Sequence, residues 1–265
     1  MSFKKRLFVI LFLAGFVGVL SFLLVDLAAL IAMVPIRPGV ERPTIPPALK
    51  VLSLIQPTVL VAVAVLVGVV LAPRVGLTAP IAESVAAGRS SGLALRSQIG
   101  PQLIPGVVGA VIGGLAIILT SLVTKPFLPA ETIALTEKFA NVIPLPTRLL
   151  YGGITEEVLI RWGLMTFFVW AVWRLFQRRY DRPTSACFVA GILLSAFIFG
   201  IGHLPVAITL LGQVTVALVL FVIVANSAFG IVTGYLYWKY GLESAIVAHM
   251  LGHMVLVTAT YAGLA

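Results

Sequence analysis

Seven long runs of apolar residues constrain this chain more than any other feature of its sequence. Each run holds about 20 residues or more, the length with which an α-helix crosses the hydrocarbon core of a bilayer. The runs lie at residues 7–34, 51–72, 102–124, 146–173, 185–204, 212–238 and 243–263. The sequence therefore predicts an all-α, polytopic membrane protein with about seven transmembrane helices, eight being the alternative count. We expect its conical or bundle-like core to come from the last four helices.

Composition excludes a soluble globular protein. Only 10% of the 265 residues are charged, 60% are hydrophobic, and the mean hydropathy is +1.14. A soluble domain carries roughly 25% charged residues. The N-terminus, with Lys4, Lys5 and Arg6 before an apolar run, looks like a signal peptide. That run exceeds the roughly 7–15 apolar residues of a signal peptide, so we predict a retained first span.

The distribution of basic residues predicts the orientation of the chain in the membrane. Lys and Arg lie between the apolar runs and do not interleave with aromatic residues, so the net charge of +9 indicates a lipid bilayer partner and no nucleic acid. With the N-terminus inside, the inner segments hold eleven basic residues; these segments are 1–6, 73–100, 174–183 and 239–242. We expect a multi-pass protein of a prokaryotic plasma membrane with a cytoplasmic N-terminus.

Two connections carry further predictions. Residues 35–50 contain five prolines, which predict a stiff, extended loop. Arg37, Arg42 and Lys50 lie in this outer loop, which is a mild exception to the rule that basic residues concentrate in cytoplasmic segments. Residues 73–100 are compatible with a short interfacial helix.

Ionisable residues inside the apolar runs are the candidates for function. A charged side chain at the bilayer centre costs about 2.5–3.5 kcal/mol even on lenient insertion scales. Glu156 and Glu157 are adjacent in the fourth run, and Arg161 follows Glu157 by one helical turn. We predict that Arg161 neutralises Glu157 and that Glu156 points elsewhere, towards a cavity; the alternative is a purely structural salt bridge, with Glu156 paired to another group. Asp26, alone in the first run, is interpreted as a residue near the outer interface.

The three histidines of the chain lie in later runs. His203 closes the fifth run, four residues after Phe199 and just before the helix-breaking Pro205. His249 and His253 are one turn apart on one face of the seventh helix. That spacing matches half of a helical zinc site, but it also suits two side chains that orient a water or bind an oxyanion.

The order and spacing of these motifs resemble the CPBP intramembrane protease family. This family includes the type II CAAX prenyl endopeptidases and bacterial bacteriocin-processing or immunity proteins. The motifs are Glu-Glu-x-x-x-Arg at 156–161, Phe-x-x-x-His at 199–203 and His-x-x-x-His at 249–253. In the family, Asn usually occupies the last position of the third motif.

The resemblance also implies a division of the chain within one integral membrane domain. It covers about residues 145–260, so residues 145–265 form a CPBP-like catalytic core. Residues 1–144 hold N-terminal spans and loops outside the likeness.

The resemblance implies an intramembrane endopeptidase that hydrolyses a membrane-associated or lipidated protein or peptide. Glu156 would be the general base that activates a water, and His203 would share that water. His249 would polarise the carbonyl or stabilise the oxyanion. A preorganised donor is needed where negative charge develops.

Four further residues complete the implied site. Glu157 and Arg161 would form a supporting pair, and Phe199 belongs to the second motif. His253 departs from the family Asn, but a neutral imidazole still donates one hydrogen bond and so keeps an oxyanion role open.

The sequence leaves alternatives open for both the cofactor and the function. The sequence has no complete set of four zinc ligands, so we expect no cofactor and favour a metal-free mechanism; zinc at His249 and His253 is the alternative. The first alternative function is a catalytically inactive scaffold or bacteriocin-immunity protein of the same fold. A proton-coupled carrier is another, but no inverted repeat relates the two halves of the sequence.

Overall fold

The computed structural model describes residues 1–34, 46–210 and 213–262, and every regular element in these ranges is helical. We number the helices in chain order. They are α1 Phe3–Leu20, α2 Leu27–Met33, α3 Pro47–Leu52, α4 Ile55–Val75, α5 Pro80–Ala86, α6 Ser91–Thr124, α7 Ala130–Val142, α8 Leu145–Phe176, α9 Ser185–Gly202, α10 Leu204–Leu210, α11 Val216–Lys239 and α12 Leu242–Tyr261.

The prediction of seven membrane spans is confirmed. Within the described residues, seven helical segments are long and apolar enough to cross a membrane. These segments are Phe3–Leu24, Ala48–Val75, Ser91–Phe127, Leu145–Phe176, Ser185–Leu210, Val216–Lys239 and Leu242–Tyr261. The short helix expected between the second and third spans is α5. The extended loop predicted at 35–50 lies mostly outside the described residues, as do the predicted span ends at 212 and 263.

The first predicted span was wrong at its C-terminal end. A turn of 3₁₀-helix ends at Leu24, and a separate helix, α2, begins at Leu27. Asp26 is the N-cap of α2, and its carboxylate accepts hydrogen bonds from the backbone N–H groups of Ala28 and Ala29 at 2.9 and 3.1 Å. A capping aspartate needs no further partner to be stable at such a position.

The main apolar core joins the N-terminal spans to the later ones. Leu7 of α1, Val65 of α4, Trp162 of α8 and Tyr237 of α11 are all buried in it, together with the start of α12. The carbonyl of Ser21, just after α1, accepts a hydrogen bond from the side chain of Thr147 on α8 at 2.9 Å, and the carbonyl of Gly15 in α1 accepts one from Thr155 at 2.7 Å. The first two spans therefore brace the helix that carries the glutamates.

The antiparallel helices give the bundle two distinct faces. The N-terminal face holds the start of α1, helix α5 and the start of α12. Leu242 donates its N–H to the carbonyl of Thr78 at 3.1 Å, and Glu243 Oε1 accepts from the N–H groups of Ile81 and Ala82, both at 2.9 Å. These bonds tie α5 to the helix that carries two of the candidate histidines.

The opposite face has its own small apolar cluster. Its buried members are Met33 of α2, Ala207 and Leu210 of α10, and Leu218 and Val222 of α11; α7 packs against them through partly buried side chains. This cluster lies on the side where α9 ends at His203.

Candidate active site

Helix α8 departs from α-helical geometry on both sides of its glutamate pair. Residues Arg148–Thr155 and Val158–Met165 are π-helical, and Glu156 and Glu157 lie between these two stretches. A π turn is wider than an α turn and is frequently found at functional sites. The two adjacent carboxylates have different environments, because the side chain of Glu157 is fully buried and that of Glu156 is 20% exposed.

The predicted ion pair between Glu157 and Arg161 is present. Arg161 Nε lies 3.1 Å from Glu157 Oε2, and both side chains are fully buried. Nε also donates to Thr233 Oγ1 of α11 at 2.9 Å, and the guanidinium carbon lies 5.4 Å from the centre of the Phe199 ring. Phe199 therefore covers a buried cation, a stabilising arrangement when the cation is desolvated.

Glu157 has a second partner that the sequence did not reveal. Its Oε1 accepts a hydrogen bond from Nδ1 of His249 at 2.8 Å. A carboxylate is acceptor-only when ionised, so His249 Nδ1 carries the proton in this bond. Arg161, Glu157 and His249 thus form one buried chain of charge-assisted contacts, in which Glu157 fixes the orientation of the imidazole.

The other nitrogen of His249 is directed at the second glutamate. Nε2 lies 3.9 Å from Glu156 Oε2, beyond the reach of a direct hydrogen bond. His249 is 5% exposed, and its ring packs against those of Phe199 and Phe229. One imidazole is therefore held by the buried glutamate at one edge and faces the accessible glutamate at the other.

His203 is the C-cap of α9, and Phe199 contacts both its ring and the ring of His249. The Nδ1 of His203 is 2.8 Å from the carbonyl oxygen of Phe199, one turn earlier. A carbonyl only accepts, so Nδ1 donates and Nε2 keeps a lone pair in the neutral ring. The ring also packs edge-on against Phe199, with centroids 4.7 Å apart.

His253 stacks on His249, with ring centroids 5.1 Å apart and planes inclined by 20°. Its Nε2 is buried and has no hydrogen-bond partner among the described residues. The ring fits only because residue 152 is a glycine, since a Cβ there would lie 2.4 Å from Nε2. Gly153 allows a similar close approach by Met250. The Gly152–Gly153 pair thus lets α12 pack directly on α8.

The site residues predicted from sequence therefore lie on three neighbouring helices around His249. Within the described ranges, no group of three His, Cys, Asp or Glu side chains is arranged to hold a metal ion. Residues that sequence reasoning missed are Thr233, which binds Arg161, Phe229, which packs on His249, and Gly152. The Gly-Gly pair was the only sequence signal for this close packing.

Comparison with known families agrees with this arrangement. Residues 138–255 match the family model described as Type II CAAX prenyl endopeptidase Rce1-like. This match supports the resemblance of these residues to the CPBP family, and we call them the CPBP region. The CPBP region begins within α7 and includes all three motifs. Comparisons with curated proteins and with solved structures found no match.

Proposed function

We propose that the CPBP region is an intramembrane endopeptidase in which Glu156 activates the attacking water. The observation that carries this proposal is the unequal environment of two adjacent carboxylates around one imidazole. Glu157 is fully buried and holds His249 by Nδ1, whereas Glu156 is partly exposed and faces His249 Nε2. One carboxylate therefore positions a side chain, and the other is free to exchange a proton.

The proposed reaction begins with proton transfer from a water molecule to Glu156. The oxygen of that water forms a bond to the carbonyl carbon of the substrate, and the carbonyl oxygen becomes an oxyanion. The neutral Nε2 of His203, whose lone pair is left free by the Phe199 bond, accepts a hydrogen bond from the same water. Two acceptors on one water favour its attack in a single orientation.

His249 and His253 provide donors for the oxyanion. In its imidazolium form His249 carries an N–H at Nε2, and Glu157 provides the countercharge at the opposite edge of the ring. His253 contributes the unpartnered Nε2, which donates in one neutral tautomer. When the tetrahedral intermediate collapses, the peptide C–N bond breaks and Glu156 returns its proton to the departing amine. Atoms and protons then balance to one carboxylic acid and one amine.

Metal-free chemistry is part of this proposal. Glu157 engages Nδ1 of His249, and the rings of His249 and His253 lie nearly parallel, face to face. Two stacked rings do not aim nitrogen lone pairs at one point between them, as two ligands of a tetrahedral zinc ion do.

An inactive scaffold or immunity protein of the same fold is the second candidate. The observation that favours it is the presence of His253 at the position of the family Asn, with an unpartnered nitrogen. An enzyme and a scaffold differ in whether new peptide termini appear in the membrane.

The experiment compares the N-termini of membrane proteins, by mass spectrometry, in cells expressing the protein or its variants. We expect termini that depend on the wild-type chain to disappear with Glu156→Gln and with His203→Ala. The matched control is Glu137→Gln, which changes an exposed carboxylate of α7 and should leave cleavage unchanged. If Glu156→Gln yields the same termini as the wild type, the endopeptidase proposal is refuted; wild-type cells without new termini favour the scaffold.

A further inference from the structure

The candidate site is closed towards the N-terminal face. Helix α8 runs from the opposite face to the N-terminal face, and beyond Glu156 its side chains Arg161, Trp162 and Met165 are all 0% exposed. Helix α11 runs in the same direction, and there Tyr237 is 1% exposed. The main apolar core therefore fills the space between the glutamates and the N-terminal face.

In the other direction the polar side chains are accessible. Arg148 and Tyr151 precede Glu156 on α8 and are half-buried. Asn226 and Ser227 of α11 and the imidazole of His203 are half-buried as well. Polar groups at membrane depth are stable only when protein or water surrounds them. Asn226 and Ser227 bind the backbone carbonyls of Val222 and Ala196, so the half-buried groups on this side of Glu156 are Arg148, Tyr151 and His203.

The end of α9 locates His203 and Gly202 between the two faces. His203 closes α9, about 27 Å along the helix axis from its start at Ser185, given a rise of about 1.5 Å per residue. The membrane-spanning segment continues for seven residues beyond His203, to Leu210. Gly202 beside His203 is exposed, and a Cβ there would have no atom within 4 Å. Gly202 and His203 thus lie in the half of this segment that is nearer to the opposite face.

The basic residues assign the two faces to the two sides of the membrane. The N-terminal face carries eleven Lys and Arg residues: Lys4, Lys5, Arg6, Arg74, Arg89, Arg96, Arg174, Arg178, Arg179, Arg182 and Lys239. The described part of the opposite face carries four: Lys50, Lys125, Lys138 and Arg148. The sequence between α2 and α3, outside the described residues, contains Arg37 and Arg42 as well. Positive residues concentrate on the cytoplasmic side, so the N-terminal face is cytoplasmic.

We propose that the site receives its substrate from the non-cytoplasmic side of the membrane. The substrate class is a membrane-anchored polypeptide whose scissile bond lies at the outer boundary of the bilayer. This inference rests on the proposed endopeptidase activity for the identity of the ligand, but the direction of access does not depend on that activity. A lipidated C-terminus located in the cytoplasm would meet the sealed side of the bundle.

The test labels single cysteines with a membrane-impermeant maleimide in intact and in permeabilised cells. Cys187 is the only cysteine of the chain and is buried, so Cys187→Ala provides the background. Lys138→Cys reports the opposite face, Arg179→Cys reports the N-terminal face, and Gly202→Cys reports the mouth of the site. Residues 138 and 179 are exposed in the structure. Val189→Cys, on a 48% exposed, lipid-facing position of α9, is the matched negative control.

We expect Lys138→Cys and Gly202→Cys to be labelled in intact cells and Arg179→Cys only after permeabilisation. Val189→Cys should remain unlabelled in both conditions. Labelling of Gly202→Cys together with Arg179→Cys, or no labelling of Gly202→Cys in either condition, would overturn the proposal. The expected labelling in a protein that cleaves nothing would refute the endopeptidase function and leave the direction of access intact.

Discussion

Substitution of Glu157 tests whether this carboxylate serves both as the countercharge of Arg161 and as the partner of His249. The change Glu157→Gln keeps an oxygen that accepts from His249 Nδ1 and removes the negative charge opposite Arg161. Both partners of the 3.1 Å pair are fully buried, so the guanidinium loses its countercharge without gaining water. Removing one partner of a buried pair destabilises a protein by about 3–5 kcal/mol. We expect Glu157→Gln to lower the free energy of unfolding by an amount in that range.

A second substitution separates stability from catalysis. Arg161→Met removes the other charge with a side chain of similar length, and neutral replacement of both members of a buried pair is commonly neutral or stabilising. Glu157→Gln/Arg161→Met should therefore regain most of the lost stability. It should not regain activity, because His249 still lacks the countercharge of its imidazolium form. Loss of one oxyanion donor lowers kcat by about 10²–10³-fold.

Stability is measured by unfolding in mixed detergent and SDS micelles, followed by circular dichroism. Activity is measured as the rate at which the wild-type-dependent N-termini form in membranes that contain equal amounts of each protein. The reasoning is refuted if the double variant cleaves at the wild-type rate, because Glu157 would then serve Arg161 alone. It is also refuted if Glu157→Gln is as stable as the wild type.

Three further predictions concern other parts of the bundle. Gly152→Ala should lower the free energy of unfolding by about 1–3 kcal/mol and should also lower the cleavage rate, because its Cβ would lie 2.4 Å from His253 Nε2. Thermal unfolding measures the first effect, and the control is Gly100→Ala, where a Cβ meets no atom within 4 Å. Glu243→Ala should lower the free energy of unfolding by about 2 kcal/mol, since it leaves the N–H groups of Ile81 and Ala82 without their acceptor, whereas Glu243→Gln, which keeps a carbonyl oxygen, should lose less. Dialysis against a zinc chelator should leave the cleavage rate unchanged, and activity restored by added zinc after its loss would contradict the metal-free mechanism.

The membrane spans were predictable because length and hydropathy act locally along the chain. All seven follow from apolar runs, and the ion pair of Glu157 with Arg161 follows from their spacing of one turn. The break after Leu24 was not predictable from hydropathy, because α2 is as apolar as the helix before it. Only the capping tendency of Asp26 could have indicated a new helix there.

The contact between Glu157 and His249 was beyond sequence reasoning for a different reason. The two residues are 92 positions apart, and the depth at which α12 meets α8 decides which carboxylate receives the imidazole. The spacing of residues along one helix determines on which side of that helix a side chain lies. It does not determine which residues of a neighbouring helix stand at the same level along the bundle axis. The π-helical turns around Glu156 and Glu157 add to this, because they change the rotation per residue that an α-helical projection assumes.

His253, which stands where the resembling family usually has Asn, is accommodated by the glycine at position 152. An imidazole extends farther from the backbone than an amide and places its Nε2 against α8, where a side chain larger than glycine would collide with it. Stacking on His249 and the absence of a Cβ at position 152 together hold the ring in one orientation, with its outer nitrogen left without a partner in the described structure. A buried polar atom without a partner destabilises a fold by about 1–3 kcal/mol, so a ligand that binds His253 Nε2 would gain a buried hydrogen bond there. For the proposed peptidase, that ligand is the oxyanion of the tetrahedral intermediate.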